Sequence, residues 1–333
     1  MPTFEVRVPT YRRAKLLTRA LQSMIAQSET DWIAYVYDDS PDREAKAVVA
    51  SLNDSRIVYE ANEKSLGAAG NIDRAFAKEP RSEASYFAIL EDDNFLFPHF
   101  LHRGHQLVDS SGCQLIEMNQ LMVDEDGQPR VDQETTRGHW FSQGKIAPLD
   151  LWASLFLMEG VSNGGLFWSR QSVSDLMVGQ NMNETCLQEA CRTLKINEPV
   201  FFESEPCAAW SFLPPAKVVR QSSGTAVVSR GMNELRGSLW RQGRVMREAA
   251  INFALTTNNE ARLGQAVESF LKPWESGGVG PFDMNRRIRG LVRRFLTPDP
   301  VKEFLSRSTD LFRVPVGNDD EPVIELQASR SSS

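Results

Sequence analysis

Tyr86-Phe-Ala-Ile-Leu-Glu-Asp-Asp-Asn94 is an apolar run that ends in three consecutive carboxylates, and Phe95-Leu-Phe-Pro-His-Phe100 follows at once. The run has the length and bulk of a buried strand. Three adjacent negative charges repel one another. A fold keeps them at a strand end when something positive lies between the side chains, most simply a divalent cation. A hard cation held by one or two carboxylates leaves positions for phosphate oxygens. The segment therefore points to a metal–diphosphate site.

Outward from this segment, the first 120 or so residues alternate strand and helix patterns. Phe4-Glu-Val-Arg-Val8 is a short strand and Pro9-Thr-Tyr11 a turn. Leu16, Leu17, Ala20, Leu21, Met24 and Ile25 then recur at helical spacing. Trp32-Ile-Ala-Tyr-Val-Tyr37 is a second strand ending in Asp38-Asp39-Ser40-Pro41. A helix over 42–52, a strand over 56–59 and a helix over 68–77 precede the strand at 86–90. Such alternation predicts βαβ units and a mostly parallel sheet, with ligands at the carboxyl ends of the strands. Asp38-Asp39 and Glu91-Asp92-Asp93 should then face one crevice.

Further along, the pattern predicts a strand over 114–123 and a Gly-rich loop, Gly160-Val-Ser-Asn-Gly-Gly165, leading into another strand. Helices are expected over 171–177 and 183–194, and late strands over 200–202 and 208–212. Beyond Val227 the pattern is helical, over 230–255, 260–271 and a basic stretch at 284–296. The final Ser-rich residues read as a disordered tail.

At 333 residues, with 41% hydrophobic and 24% charged residues, the chain has the composition of a soluble globular protein. A formal net charge of -7 argues against nucleic-acid binding. Cys113, Cys186, Cys191 and Cys207 form no C-x-x-C pair, which predicts reduced, mostly buried thiols in a cytosolic protein. The amino terminus enters a strand directly, without the regions of a signal peptide. No run reaches the roughly 18 apolar residues of a membrane span. A homo-oligomer is compatible with this composition.

Four motifs carry a resemblance. Val8-Pro-Thr-Tyr-Arg-Arg13, Val36-Tyr-Asp-Asp-Ser-Pro-Asp42, Asn62-Glu-Lys-Ser-Leu-Gly-Ala-Ala-Gly-Asn71 and Leu90-Glu-Asp-Asp-Asn94 with Pro98 are similar, in order and spacing, to the family 2 inverting glycosyltransferases. Gly164-Gly-Leu-Phe-Trp-Ser-Arg170 resembles the loop and strand that border the acceptor site in that family. The match covers about residues 4–215. It implies a GT-A nucleotide-diphospho-sugar transferase fold, α/β with a mixed, mostly parallel sheet, over 1–215. Residues 216–333 form a helical appendage.

The resemblance also implies roles. Asp93 would bind Mn²⁺ or Mg²⁺, and Glu91 or Asp92 would contact the ribose or complete the metal shell. Asp39, with Asp38, would accept a hydrogen bond from the base. Pro9, Thr10 and Tyr11 would border the nucleotide, near Asn71. An Arg usual before that Asn is Gly70 here, and Lys64 is a substitute for its contact. Aligning Leu187 with an apolar position of the family makes Glu184 the general base, with Glu189 the second choice. The expected partners are a nucleotide-diphosphate sugar donor and a carbohydrate, lipid-linked or protein acceptor.

His99, His102 and His105 are three residues apart, but H-x-x-H alone more often marks a surface helix than a metal site. Arg286, Arg287, Arg289, Arg293 and Arg294 alternate with Ile288, Leu291, Val292 and Phe295. Two readings stay open: a peripheral contact with the inner face of a membrane, or a packed helix with a solvated basic face. No G-x-G-x-x-G follows the first strand, which disfavours a dinucleotide-binding dehydrogenase, and no Walker A motif is present. A nucleotidyltransferase would carry glycines where Pro9-Thr-Tyr-Arg-Arg13 stands. A non-catalytic nucleotide-sugar-binding or assembly subunit is the remaining alternative.

Overall fold

A computed structural model of the chain describes residues 3–130, 134–179, 182, 184–213, 225–271 and 304. The expected alternation is present. It runs β1 (Phe4–Thr10), α1 (Ala14–Ile25), β2 (Trp32–Asp38), α2 (Glu44–Leu52), β3 (Ile57–Ala61), α3 (Gly67–Ala75) and β4 (Tyr86–Ile89). After β5 (Phe95–Leu96) come α4 (Phe100–Ser111), β6 (Leu115–Val123), β7 (Gly144–Ile146) and α5 (Pro148–Ser154). A 3₁₀ turn (Asn163–Gly165) opens β8 (Leu166–Ser169), followed by α6 (Thr185–Lys195) and β9 (Val200–Ser211). Three helices end the described chain: α7 (Thr225–Arg241), α8 (Arg244–Thr256) and α9 (Glu260–Leu271).

One mixed sheet holds these strands in the order β3-β2-β1-β4-β8-β6-β9-β5, with β7 paired to β9. The pairs β1–β2, β2–β3, β1–β4 and β6–β9 are parallel. The antiparallel β8 lies between β4 and β6 and sets its own Gly-rich entrance beside the carboxyl end of β4. Two apolar layers cover the sheet, as parallel strands require. Phe4, Val6 and Val8 pack with Leu17, Leu21 and Met24 of α1 on one face. On the other, Phe87, Leu115 and Trp168 join α5, α6 and the later helices. The alternate residues of β1 carry a buried ion pair there, Arg7 Nε donating to Glu5 Oε1 at 2.7 Å.

Some expectations change. Residues 171–177 are irregular rather than helical, because the Glu198 carboxylate accepts from Ser172 Oγ (2.6 Å), Val173 N (2.9 Å) and Ser174 N (3.0 Å). Side-chain hydrogen bonds of this kind compete with a helix. The two late strands are one continuous β9. Its pairing with β6 jumps from Met118↔Glu203 to Gln120↔Ala208, which loops out Ser204–Cys207 and bulges at Asn119. The boundary expected at 215/216 lies outside the described residues. Met232, Leu235 and Leu239 of α7 and Met246 and Ala250 of α8 share the buried cluster with Leu151 and Phe156. The basic stretch Arg286–Arg294 and the Ser-rich tail also lie outside the described residues. Among those described, no helix is long and apolar enough to cross a membrane.

Candidate functional site

The carboxyl ends of β1 and β4 meet. Asp92 accepts from Thr10 Oγ1 at 2.8 Å, from Tyr11 N at 3.0 Å and from Arg13 Nη1 at 3.0 Å. The same Arg13 nitrogen donates to Asp93. The positive charge between these carboxylates is therefore a guanidinium, supplied by the turn after β1. Arg19 fixes the backbone beneath them, donating to the Asp93 carbonyl at 2.7 Å and stacking over Phe95.

One arginine does not neutralise three carboxylates. Burial, then Asp93, Glu189 and Asp92, push Glu91 up to about 8. Burial and then Asp92 push Asp93 up to about 6, against the pull of Arg13. Ionising these clustered carboxyls together is disfavoured with Arg13 as their counter-charge, and a divalent cation would favour it, so the oxygens fit such an ion. Among the described residues there is no cluster of three or more His, Cys, Asp and Glu side chains arranged around a metal position. His99, His102 and His105 do not form a site: His102 pairs with Glu29 and His105 with Asp109.

The second acidic element works differently. Asp38 is fully buried and accepts from Ser40 N (2.9 Å) and Tyr59 Oη (3.0 Å). Asp39 accepts from Asn62 Nδ2 (2.8 Å), Ser65 Oγ (2.9 Å), Leu66 N (2.7 Å) and Gly67 N (3.0 Å). It thus ties down the 62–67 loop and sits at the start of α3, where a negative charge is favoured. Asn71 bridges the β1 and β2 ends through the carbonyls of Thr10 and Tyr37, and its own oxygen accepts from Asn62. These groups shape the crevice floor by hydrogen bonds within the chain. Pro9 is buried in β1, Tyr11 is half-buried at the crevice edge and Lys64 is exposed on the 62–66 loop. A Cβ at Gly70 would stand 3.1 Å from Leu66 Cβ, so the family's Arg has little room there. Arg74, one turn on, instead lies over the Tyr37 ring and reaches Asn62 and Glu60.

The facing wall is built from the 160–165 loop, β6 and α6. Glycine is required in this loop. A Cβ at Gly165 would lie 2.7 Å from the Met118 carbonyl, and one at Gly164 would lie 3.2 Å from Glu91 Oε2. Ser162 N donates to Glu117 Oε1 at 2.8 Å and Asn163 N to Glu189 Oε1 at 3.0 Å. Burial pushes Glu117 up to about 8, opposed by Arg137. Burial also raises Glu189, again opposed first by Arg137. Glu189 is thus one of the charges that act on Glu91 across the loop. Glu184 is the buried cap residue of α6.

Sequence reading gives no role to Arg13, Glu117, Arg137, Asp73 or Arg192. Glu117 carries a signal nonetheless: a carboxylate inside an apolar strand is rarely buried without a reason. Arg192, fully buried, donates to the Leu176 carbonyl (2.8 Å), to Asn163 and to Asp73 (3.2 Å), so it joins α6, α3 and the Gly-rich loop.

Residues 5–155 match the model of glycosyl transferase family 2. A protein of Escherichia coli (strain K12), with the provisional name colanic acid biosynthesis glycosyl transferase WcaA, is 28% identical over 113 residues. That match covers 32% of this chain and 39% of the relative. Among solved structures, S. aureus TarS superposes with a TM-score of 0.52 at 15% identity, over 81% of this chain and 43% of that one. Its 1–349 segment in complex with UDP-GlcNAc gives 0.51 at 16% identity, over 81% and 72%. The matches thus span 39% of the Escherichia coli relative and 43% of full TarS, under half of each. The likeness to TarS is a likeness of fold, and the mixed, mostly parallel GT-A-type sheet expected from the motifs is borne out.

Proposed function

We propose, from the premise that residues 5–155 are a glycosyl transferase family 2 segment, that the protein transfers a sugar from a nucleotide-diphosphate donor to a hydroxyl of an acceptor glycan. One observation carries the reading. Glu91, at the end of β4, and a second carboxylate, Glu189, both lie against the Asn163–Gly165 turn: a Cβ at Gly164 would stand 3.2 Å from Glu91 Oε2, and Asn163 N donates to Glu189 Oε1 at 3.0 Å. Leaving-group stabilisation and acceptor activation need such opposed groups.

In this reading the reaction is a single inverting displacement. The acceptor oxygen forms its bond to the anomeric carbon as the bond to the diphosphate oxygen breaks. The acceptor proton passes to Glu189, and the electron pair leaves with the diphosphate. Asp93, with Asp92, would hold a Mn²⁺ or Mg²⁺ ion, which supplies Lewis-acid stabilisation of the departing diphosphate when bound. Arg13, freed from Asp93, would remain as a cation beside the same phosphates. Tyr11 borders the nucleotide, and Asp39 and Asn71 keep the crevice floor in shape. We place Glu189 before Glu184 as base because Glu189 accepts from Asn163 N in the Gly-rich turn that also approaches Glu91.

TarS has been solved with UDP-GlcNAc, which makes a UDP-linked sugar the first donor to try. The relative named for colanic acid biosynthesis makes a polysaccharide the first acceptor class. A cytoplasmic location, where nucleotide sugars are made, belongs to the same reading. A non-catalytic binding subunit is the second reading, favoured by the ion pair of Arg13 with Asp93, which partly satisfies the metal position within the chain.

Thermal shift with a panel of nucleoside diphosphates, with and without Mn²⁺, tests nucleotide binding. The expected result is a rise in Tm of about 5 °C at saturating nucleotide and metal together. Asp93→Ala should abolish the metal-dependent part. Stabilisation by NAD and by no nucleoside diphosphate would end this reading.

A further inference from the structure

We propose that Arg137 is a positioning residue for Glu189, holding its carboxylate against the Asn163–Gly165 turn and supplying its counter-charge. This rests on the transferase reading with Glu189 as base.

The β6 bulge sets the place of Arg137. Pairing with β9 breaks between Met118 and Gln120, and the Asn119 side chain is turned to bridging duty. Its Nδ2 donates to the Ser204 carbonyl at 2.8 Å, on the looped-out part of β9, and its Oδ1 accepts from Arg137 N at 3.1 Å. Gly138 keeps this contact close, since a Cβ there would stand 2.8 Å from Asn119 Nδ2 and 2.5 Å from Thr135 Oγ1. The bulge thus fixes the Arg137 backbone beside the site.

The residue is 9% exposed, and its guanidinium is poorly served for a purely structural group. Nη1 donates to the Thr136 carbonyl at 3.1 Å, Nη2 lies 3.6 Å from Glu189 Oε2, and Nε is buried without a partner. Arg192 is the contrast. Its Nε, Nη1 and Nη2 each have a partner. A buried arginine with donors unmet and a carboxylate just beyond ideal range is placed for its charge rather than for cohesion.

The charges around Glu189 set the sign. Arg137 from the 134–141 segment and Arg192 from α6 favour its ionised form, and Glu159 opposes it. Its own charge in turn raises Glu91, Glu117 and Cys186. A base must be ionised to take a proton. Burial raises Glu189 and Arg137 pulls it back down, so loss of Arg137 moves the acid limb of the rate to higher pH.

The test is the pH profile of transfer for wild type, Arg137→Lys and Arg137→Met, using the donor that thermal shift identifies. Arg137→Met should move the acid limb of kcat up by about one pH unit. It should lower kcat about tenfold or more at neutral pH. The donor KM should stay near wild type. Arg137→Lys, which keeps the charge, should recover most of the loss, and it carries the test alone where the Met variant does not fold. An unmoved acid limb in a folded variant, or a rise in donor KM with kcat unchanged, overturns the proposal. If wild type turns over no donor, the transferase reading fails and this inference falls with it.

Discussion

Glu189→Gln lowers kcat about 10²- to 10⁴-fold, the range for loss of a positioned general base, while Glu184→Gln lowers it less than tenfold. Glutamine keeps the shape of Glu189 and can still accept from Asn163 N, so the Gly-rich loop stays in place. What is lost is the proton acceptor. Donor KM should change little in Glu189→Gln, because the elements proposed to hold the nucleotide lie on β1, β2 and β4. Glu184 stands at the cap position of α6, buried and without a side-chain capping bond, and in the proposed reading it does not take the acceptor proton. Steady-state kinetics on the two variants decide the matter. A large loss in Glu184→Gln with Glu189→Gln near wild type would exchange their roles.

The second large effect is on stability. Arg192→Leu should cost about 3–5 kcal/mol, the range for removing one partner of a buried ion pair. Asp73 is 1% exposed and accepts from Val178 N (2.7 Å), Gly179 N (2.8 Å) and Arg192. Without the guanidinium its charge stays buried. The 176–179 segment, the Asn163 side chain and the stacking over Phe76 at 3.7 Å lose their shared partner as well. Urea unfolding reads the change as a lower midpoint with little change in slope. The double variant Asp73→Asn/Arg192→Leu should recover part of the loss, since it removes the stranded charge. A single-variant loss under about 1 kcal/mol would show that the pair contributes little.

Much of the fold is legible in the sequence because local signals agree. β2 and β4 are apolar runs that end at Asp38 and, past Leu90, at Glu91, β1 alternates Phe4, Val6 and Val8 with Glu5 and Arg7, and α1 shows its buried stripe at Leu17, Leu21 and Met24. Features set by tertiary context are not legible. β5 and β7 have two and three residues, too few for any period. β9 reads as two strands because Glu203-Ser-Glu-Pro206 looks like a turn. In the structure Pro206 sits in the looped-out stretch, where a missing N–H costs no ladder bond. Val173, Leu176 and Met177 suggest a helix that the distant Glu198 dissolves.

The site divides in the same way. The acidic triplet and its place at a strand end follow from the order of residues alone. The cation that answers it does not: Arg13 is about 80 positions away and reaches Asp92 and Asp93 only once β1 and β4 pair. Asp38 and Asp39 look like ligand contacts because carboxylates at a strand end usually are. Their hydrogen bonds to Ser40, Tyr59, Asn62, Ser65, Leu66 and Gly67 depend on how the 62–67 loop folds back. The choice between Glu184 and Glu189 rests on which way two residues of α6 face, and the linear pattern around Leu187 does not contain it.

The central claim is that the β4 carboxylates serve sugar transfer from a nucleotide donor. Release of nucleoside diphosphate from a panel of labelled nucleotide sugars, with Mn²⁺ and a mixed glycan acceptor, tests it most directly in wild type beside Asp93→Ala. The account predicts acceptor-dependent turnover of at least one donor by wild type. It also predicts a loss of about 10²-fold or more in Asp93→Ala, with the variant still folded. Equal turnover by the two proteins, or labelled sugar consumed by neither, would contradict it.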